Sequence, residues 1–135
     1  MTPGAREAAF DQAPCNRLFG FELLESADGG ARIRLPIRDE FLQEERRVHG
    51  GVITALADTC AVYALKPGLP PGTAMTSIEL KINFLHPVVS AGEPLTAIAR
   101  TVRRGARVGV CDVDVYQQDQ LVAKGLFTYL FFERR

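Results

Sequence analysis

Residues 48–60 read VHGGVITALADTC, beginning as a loop with two glycines and continuing as an apolar helix. Apolar side chains recur at the three- and four-residue spacing of a helix that packs on one face. These side chains are Ile53, Leu56, Ala57, Cys60, Ala61 and Ala64. The other faces hold Val52, Ala55 and Val62. The helix is therefore predicted to run from Gly50 to Leu65 and to be enclosed on nearly all sides. The run PGLPPG that follows ends it.

Downstream of this helix, alternating patterns predict strands. Apolar residues in the stretch 78–84 alternate with polar ones, which indicates a half-buried strand. A turn is expected within residues 86–92. Three longer strands with short antiparallel connections follow, at residues 95–102, 108–116 and 121–132.

The chain upstream of the helix is less regular. Residues 19–25 and 31–36 are extended candidates joined by ADGG, a strong hairpin signal. Residues 39–48 are polar and are predicted to form a loop. Residues 1–16 form a weakly patterned N-terminal extension with one short helix. We expect the whole chain, residues 1–135, to be a single domain.

One enclosed helix with two strands before it and four after it predicts an α+β fold. In such a fold the helix lies across one face of an antiparallel sheet. The helix has more apolar surface than one sheet face covers. A second copy of the chain is expected to cover the rest, so the sequence predicts a homodimer.

The composition argues against several classes of protein. Sixteen Lys and Arg residues balance sixteen Asp and Glu residues, which argues against nucleic acid or an anionic membrane as a partner. Three cysteines without a CxxC pair, and only two histidines, argue against a disulfide framework or a zinc site. No segment has the pattern of a signal peptide or the length of a membrane span, so a cytoplasmic protein is expected.

Asp58 is the strongest site candidate. Aspartate is unfavourable inside a helix and is rarely buried without a partner. No Lys or Arg lies one turn away to pair with it, since those neighbours are Thr54, Ala55, Ala61 and Val62. A structural role in bridging a dimer contact is one interpretation. The favoured interpretation is a general base or a nucleophile.

The tripeptide His49-Gly50-Gly51 at the helix start is the second candidate. Glycine lets the backbone approach a ligand closely, and the free N–H groups carry the positive end of the helix dipole. Such groups can stabilise an oxyanion, although an ordinary loop-to-helix transition is the alternative. Asp58 lies about 12 Å along the helix axis from Gly50, too far for one carbonyl to contact both. If both act in one site, we expect them to come from different subunits.

Three further sets of residues are weaker candidates. Gln43 can orient a water or a carbonyl through its amide, or it can be an ordinary loop glutamine. Ser77 is predicted at a strand end, on the face opposite Ile78 and Leu80, where it either holds a water or simply begins the strand. Arginines around Gly105 suit a phosphate-bearing ligand or a solvated hairpin tip. They are Arg100, Arg103, Arg104 and Arg107.

The motif HGGVITALAD at residues 49–58 resembles the hotdog-fold acyl-CoA thioesterases, specifically the phenylacetate-pathway (PaaI-like) branch. Ser77 and the segment NFLHP at residues 83–87 support the resemblance, which extends over about residues 19–132. It implies the hotdog fold, a curved antiparallel sheet wrapped around one long central helix. It also implies a homo-oligomer, commonly a dimer of dimers.

The resemblance further implies roles for the matched residues. The Gly50 N–H would donate to the thioester carbonyl, and Asp58 would act on the neighbouring subunit's substrate as base or nucleophile. Gln43 would position water or substrate, and Ser77 would hold the attacking water. His49 belongs to the motif with a less defined role. The expected contacts to substrate and CoA are Gly51, Arg103, Arg104 and Arg107.

The expected function is hydrolysis of an aryl- or acyl-CoA thioester to the free acid and CoA. No metal or bound cofactor is expected, because coenzyme A enters as part of the substrate. One alternative is an acyl-thioester hydratase or dehydratase, which would need His49 poised at the α- or β-carbon. Another is a non-catalytic acyl-CoA binding protein. The sequence does not reveal the acyl group.

Overall fold

Helices and strands follow one another in an α+β order over the residues that the computed structural model describes, 2–89 and 92–135. The helices are α1 (Pro3–Gln12), α2 (Pro14–Phe19) and α3 (Gly50–Leu65). The strands are β1 (Glu22–Ala27), β2 (Gly30–Leu35), β3 (Thr73–Phe84), β4 (Leu95–Arg104), β5 (Val108–Gln117) and β6 (Gln120–Glu133). The predicted bounds of the central helix are confirmed. Ser90 and Ala91 of the predicted turn lie outside the described residues.

The strands form one antiparallel sheet in the order β1-β2-β4-β5-β6-β3, so β1 and β3 are its edges. Helix α3 packs mainly on β2, β4 and β5. Inward-facing residues of β2 and β4 are fully or almost fully buried, and they alternate with exposed or half-buried ones as a sheet with one covered face requires. The buried set includes Ala31, Ile33, Leu35, Leu95, Ala97 and Ala99.

One side chain caps each end of α3. His49 is the N-cap, and its Nδ1 accepts a hydrogen bond from the Gly51 N–H at 2.8 Å. At the other end, Arg104 Nη2 donates to the Leu65 carbonyl at 3.0 Å, and its Nη1 contacts Asp28. A cation at a helix C-terminus complements the helix dipole. Arg104 therefore fixes the end of α3 against the β1–β2 hairpin.

The structure departs from the expected elements in several places, including a 3-10 helix at Asp39–Phe41 in the predicted loop, and two of them have a clear physical reason. Residues 14–19 are helical, because Pro14 occupies the first turn and Gly20 adopts φ 80° just after the last residue. Strand β3 begins at Thr73, four residues before Ser77, because its pairing with β6 extends to Thr73 opposite Glu133. Propensity alone does not reveal either feature. Helix α2 is too short to show a helical repeat of apolar residues, and the extension of β3 depends on a distant strand.

The N-terminal helix covers part of α3 within the chain. Phe10 is fully buried, and its ring meets the Tyr63 ring edge-on at 5.0 Å between centroids. Asn16 Nδ2 donates to the Phe10 carbonyl at 3.1 Å, which links α2 to α1. The extension therefore takes up some of the apolar surface that was expected to lie against a second chain.

Within the described residues, no helix is long and apolar enough to cross a membrane.

The two buried thiols make stability fall at alkaline pH. Burial raises the pKa of the Cys60 thiol to about 12 and that of Cys111 to about 11. Below pH 9 both thiols are protonated in folded and unfolded chains, so the full stability is present. As pH rises from 9 towards 12, the unfolded chain ionises first and stability is lost. Each thiol lowers the free energy of unfolding by about 1.4 kcal/mol per pH unit between pH 9 and its folded-state pKa, about 12 for Cys60 and about 11 for Cys111.

We expect Cys60→Ala to remove the contribution of one thiol to this fall of the free energy of unfolding with pH. The free energy of unfolding, measured by urea denaturation from pH 8 to pH 11, should fall less steeply than in the wild type. A constant loss at all pH values from the smaller side chain leaves the slope unaffected. Equal slopes in the two proteins would contradict the prediction.

Candidate active site

Asp58 lies on α3 with its carboxylate against Tyr129 of β6. The Tyr129 hydroxyl donates to Asp58 Oδ1 and lies 2.9 Å from the Asp58 carbonyl oxygen. Tyr129 is 1% exposed, whereas Asp58 is half-buried. The tyrosine therefore fixes the carboxylate from the protein interior, and Asp58 also lines a cavity.

Tyr129 stays a proton donor at ordinary pH. Burial raises the pKa of its phenol, and the neighbouring Asp58 charge and hydrogen bond raise it further. Sequence reasoning missed this residue. A usable signal was present, because the inward face of β6 carries Phe127, Tyr129 and Phe131, and a buried tyrosine hydroxyl needs a partner.

Ser77 lies on the inward face of β3, not on the face opposite Leu80, so the predicted orientation is wrong. The β3–β6 register shifts between Ser77 and Glu79, with Ser77 opposite Tyr129 and Leu80 opposite Phe127. A bulge of this kind inserts one residue, here Ile78, and reverses the alternation of faces beyond it. The bulge therefore brings Ser77 to the same side as the Tyr129–Asp58 pair.

Asp58, Ser77 and Tyr129 line one cavity, which we call the carboxylate cavity. Its volume is about 440 Å³. Val62, Leu69 and Met75 give it apolar surface. It is therefore a pocket of mixed character, in which apolar side chains lie beside a carboxylate, hydroxyls and cationic side chains, as in many small-molecule sites.

Gly50 presents an unused N–H at the start of α3. His49 Nδ1 takes the Gly51 N–H, whereas the Gly50 N–H has no acceptor among the described residues. The Phe84 ring lies so close that a Cβ on Gly50 would meet it at 3.0 Å. A side chain at position 50 would therefore crowd the Phe84 ring, and the free Gly50 N–H carries the positive end of the helix dipole.

Gly51, expected as a substrate contact, does not offer its N–H to a ligand. That N–H is bound to His49 Nδ1, and a Cβ on Gly51 would meet the same nitrogen at 2.9 Å. His49 accepts at Nδ1 and therefore carries its proton on Nε2 when neutral. The motif histidine thus caps the helix through the Gly51 N–H and leaves the Gly50 N–H available to a ligand.

Gln43 lies beside Gly50 in a second cavity of about 270 Å³, which we call the glycine cavity. Its Oε1 accepts from the Glu45 N–H and lies 3.5 Å from the Arg47 nitrogen. The backbone closes the same turn, since the Gln43 N–H donates to the Arg47 carbonyl at 2.8 Å. The amide carbonyl is therefore occupied, and the Nε2 group is the part of Gln43 that is free to donate.

The predicted site residues thus fall into two separate groups in one chain. Asp58 and Ser77 line the carboxylate cavity, and Gly50 and Gln43 line the glycine cavity, with no lining residue in common. Gly50 and Asp58 are eight residues apart on one helix, about 12 Å along its axis. A single chain does not bring the two groups to one reacting atom.

The arginines have different environments. Arg104, expected as a CoA contact, is held by Leu65 and Asp28 as described above, so its guanidinium has a structural role. Arg100 contacts Asp112 and Asp114. Arg103 and Arg107 are exposed near the β4–β5 turn and stay candidates for a phosphate contact.

In the described part of the chain, no group of three His, Cys, Asp or Glu side chains lies close enough together to hold a metal ion.

An antiparallel sheet around one long helix, with a carboxylate and a helix N-terminus in separate cavities, defines a hotdog-fold protein. The chain belongs to the thioesterase superfamily, whose family model matches residues 46–124. The predicted fold, the resemblance and the class of thioester hydrolase are confirmed. The role of each site residue stays a prediction.

Individual relatives agree with this assignment. The chain is 29% identical to the acyl-coenzyme A thioesterase PaaI of Escherichia coli over 113 residues, which is 84% of this chain and 78% of that protein. The structure of E. coli PaaI, from the phenylacetic acid degradation operon, superposes with a TM-score of 0.87 at 25% identity, covering 96% of this chain and 91% of that one. A thioesterase structure from Haemophilus influenzae shares the fold, with a TM-score of 0.87 at 22% identity over 98% and 92% of the two chains.

The hydroxyl of Tyr129 is expected to position Asp58. Tyr129→Phe removes only that hydroxyl and leaves the carboxylate free to rotate on α3. We expect kcat to fall about tenfold with little change in KM, since a hydrogen bond to a charged group contributes about 1.5–3 kcal/mol. Steady-state kinetics beside Tyr63→Phe, another buried tyrosine outside both cavities, provide the check. Equal kcat in the wild type and Tyr129→Phe would contradict the positioning role.

Proposed function

We propose that the protein hydrolyses aryl- or acyl-CoA thioesters at sites shared between two copies of the chain. Asp58, Ser77 and Tyr129 come from one copy, and Gly50 and Gln43 come from the other. The observation that carries this proposal is the division of the site residues between two cavities of one chain. Each cavity holds half of the chemistry that thioester hydrolysis needs.

The surface between the cavities supports pairing with a second copy. Strand β3 is an edge of the sheet, so one row of its backbone groups is unpaired by the other strands. Its inward side also exposes large apolar residues, with Leu80 41% and Phe84 52% exposed. A second chain placed against β3 would cover this surface and bring one chain's Gly50 towards the other's Asp58. Two such dimers would then form the dimer of dimers that the sequence resemblance implies.

The two half-sites divide the reaction between them. The Gly50 N–H, with the dipole of α3 behind it, donates to the thioester carbonyl and stabilises the oxyanion that forms there. The Gln43 Nε2 group is placed to donate to the same carbonyl or to the substrate. Neither donor has to give up a protein acceptor to do so, because both are unpaired among the described residues.

The carboxylate half supplies the nucleophile. Asp58 removes a proton from a water that the Ser77 hydroxyl holds, or attacks the carbonyl carbon itself. In the first route the resulting hydroxide adds to that carbon, the tetrahedral intermediate breaks its C–S bond to release the free acid, and the proton held by Asp58 passes to the leaving CoA thiolate. In the second route the C–S bond breaks as CoA thiolate leaves, and water then hydrolyses the acyl–Asp58 anhydride to the free acid and restores the carboxylate. These residues supply base and oxyanion stabilisation together, so the proposal includes no metal and no cofactor apart from substrate CoA.

Free-thiol release from a panel of aryl- and acyl-CoA thioesters tests the function. Turnover that yields free acid and free CoA in equal amounts supports it. A hydratase would change the acyl group and leave the thioester intact, and a binding protein would hold the ligand without turnover. Product analysis by mass spectrometry distinguishes these results, and either of the last two would overturn the proposal.

A further inference from the structure

The carboxylate cavity has a cationic end that the proposed chemistry does not use. Lys66 and Arg134 both line it, together with the apolar side chains of Val62 and Leu69. Neither cation makes an ion pair with a carboxylate of the described chain. Two cations without a carboxylate partner on the wall of one pocket are a feature that an anionic ligand would complement.

Three elements place this cationic end far from Asp58. Lys66 follows Asp58 by eight residues along the helix, about 12 Å of axial distance. On β3, Thr73 precedes Ser77 by four residues, about 13 Å of strand. Arg134 lies near Thr73, since its backbone N–H donates to the Gly72 carbonyl at 2.8 Å. Helix and strand therefore both separate the backbone at the cationic residues from that at Asp58 and Ser77 by about 12–13 Å, so the cations lie towards the other end of the cavity wall.

The two cations are close enough to influence each other. Burial lowers the pKa of Lys66, and the charge of Arg134 lowers it further. The Lys66 Nζ also lies 5.2 Å from the centroid of the Tyr63 ring, which restrains it at the end of α3. Glu133, the acidic residue beside Arg134, lines a different cavity together with Arg107.

We propose that Lys66 and Arg134 form an anion-binding subsite for a negatively charged group of the substrate, separated from the reacting carbonyl along the carboxylate cavity. The inference rests on the proposed function and adds a substrate requirement to it. The anion is a phosphate of CoA or a carboxylate at the far end of the acyl group. Both are oxyanions that an ammonium and a guanidinium bind in the same way.

The test compares the double variant Lys66→Gln/Arg134→Gln with a control that loses the same charge. The control is Arg17→Gln/Arg32→Gln, because both arginines are exposed and lie outside the carboxylate cavity. Rates are measured on octanoyl-CoA and on suberoyl-CoA, which adds a terminal carboxylate to the same chain length. The inhibition constant of free CoA is measured in parallel, and thermal unfolding checks that both variants are folded.

We expect the double variant to lose about tenfold in kcat/KM through KM, with a smaller loss at high salt. If the inhibition constant of CoA rises by a similar factor, the anion is a CoA phosphate. If that constant is unchanged and the loss is confined to suberoyl-CoA, the anion is the acyl carboxylate. A double variant that equals the control, or that loses kcat with KM unchanged, overturns the subsite.

Failure of the proposed function gives a different result. In that case the wild type itself would turn over none of the thioesters. The subsite is then tested by calorimetry with CoA and suberoyl-CoA as the ligands. Weaker binding of either ligand to the double variant than to the control supports the subsite, and equal binding, or no binding to any of the proteins, overturns it.

Discussion

Asp58→Asn is expected to lower kcat for thioester hydrolysis by at least 10²- to 10³-fold, because an amide can neither accept the proton of water nor attack a carbonyl. Asparagine has nearly the same shape, and its amide oxygen can still accept the Tyr129 hydroxyl that now contacts Asp58 Oδ1. The side chain should therefore keep its position while its chemistry is lost. Free-thiol release under saturating substrate measures the effect.

Asp119→Asn is the matched control for this experiment. Asp119 lies exposed in the turn between β5 and β6, so the same carboxylate-to-amide change there should leave kcat unaltered. Both variants should elute at the wild-type volume on size exclusion. If the Asp58→Asn protein is folded and retains kcat within tenfold of the wild type, Asp58 takes no part in the chemical step.

Gly50→Pro is expected to lower kcat by about 10²- to 10³-fold, the usual cost of one lost oxyanion donor. Proline removes the N–H and nothing else from the backbone. It is well tolerated at the first position of a helix, and the preceding His49, with φ −60° and ψ 137°, already has the conformation that a following proline favours. The helix should therefore still form.

Gly50→Ala distinguishes the loss of the N–H donor from the crowding of a new side chain against Phe84. A Cβ at position 50 meets the Phe84 ring in both variants, but alanine keeps the N–H. We expect Gly50→Ala to lose some activity through that contact and Gly50→Pro to lose at least tenfold more. Equal kcat values for the two variants would show that the Gly50 N–H does not stabilise the oxyanion.

The sequence predicted the central helix and the separation of the half-sites because both depend on local geometry. The period of apolar residues and the PGLPPG run define α3, and its bounds agree with the structure. The rise per residue of a helix then separates Gly50 from Asp58 whatever surrounds them. The cap by His49 is also local, although the sequence did not show which glycine N–H it would occupy.

What depends on contacts between distant segments could not be predicted. The face of Ser77 depends on the bulge at Ile78, which appears only in the register of β3 against β6. Tyr129 meets Asp58 across 71 positions in sequence. Arg104 was grouped with the other arginines of its hairpin, yet it reaches the Leu65 carbonyl because the bulge in β4 before Arg103 places it on the inward face.

Mixing the two inactive variants tests the central claim, that Asp58 of one chain acts with Gly50 of another. Asp58→Asn and Gly50→Pro chains are unfolded together, refolded, and assayed for free-thiol release beside each variant refolded alone. Shared sites predict recovery of about a quarter of the wild-type rate, since half of the dimers are mixed and each mixed dimer has one intact site of two. If the mixture is no more active than the separate variants, while mass spectrometry shows that mixed dimers have formed, the site is not shared between chains.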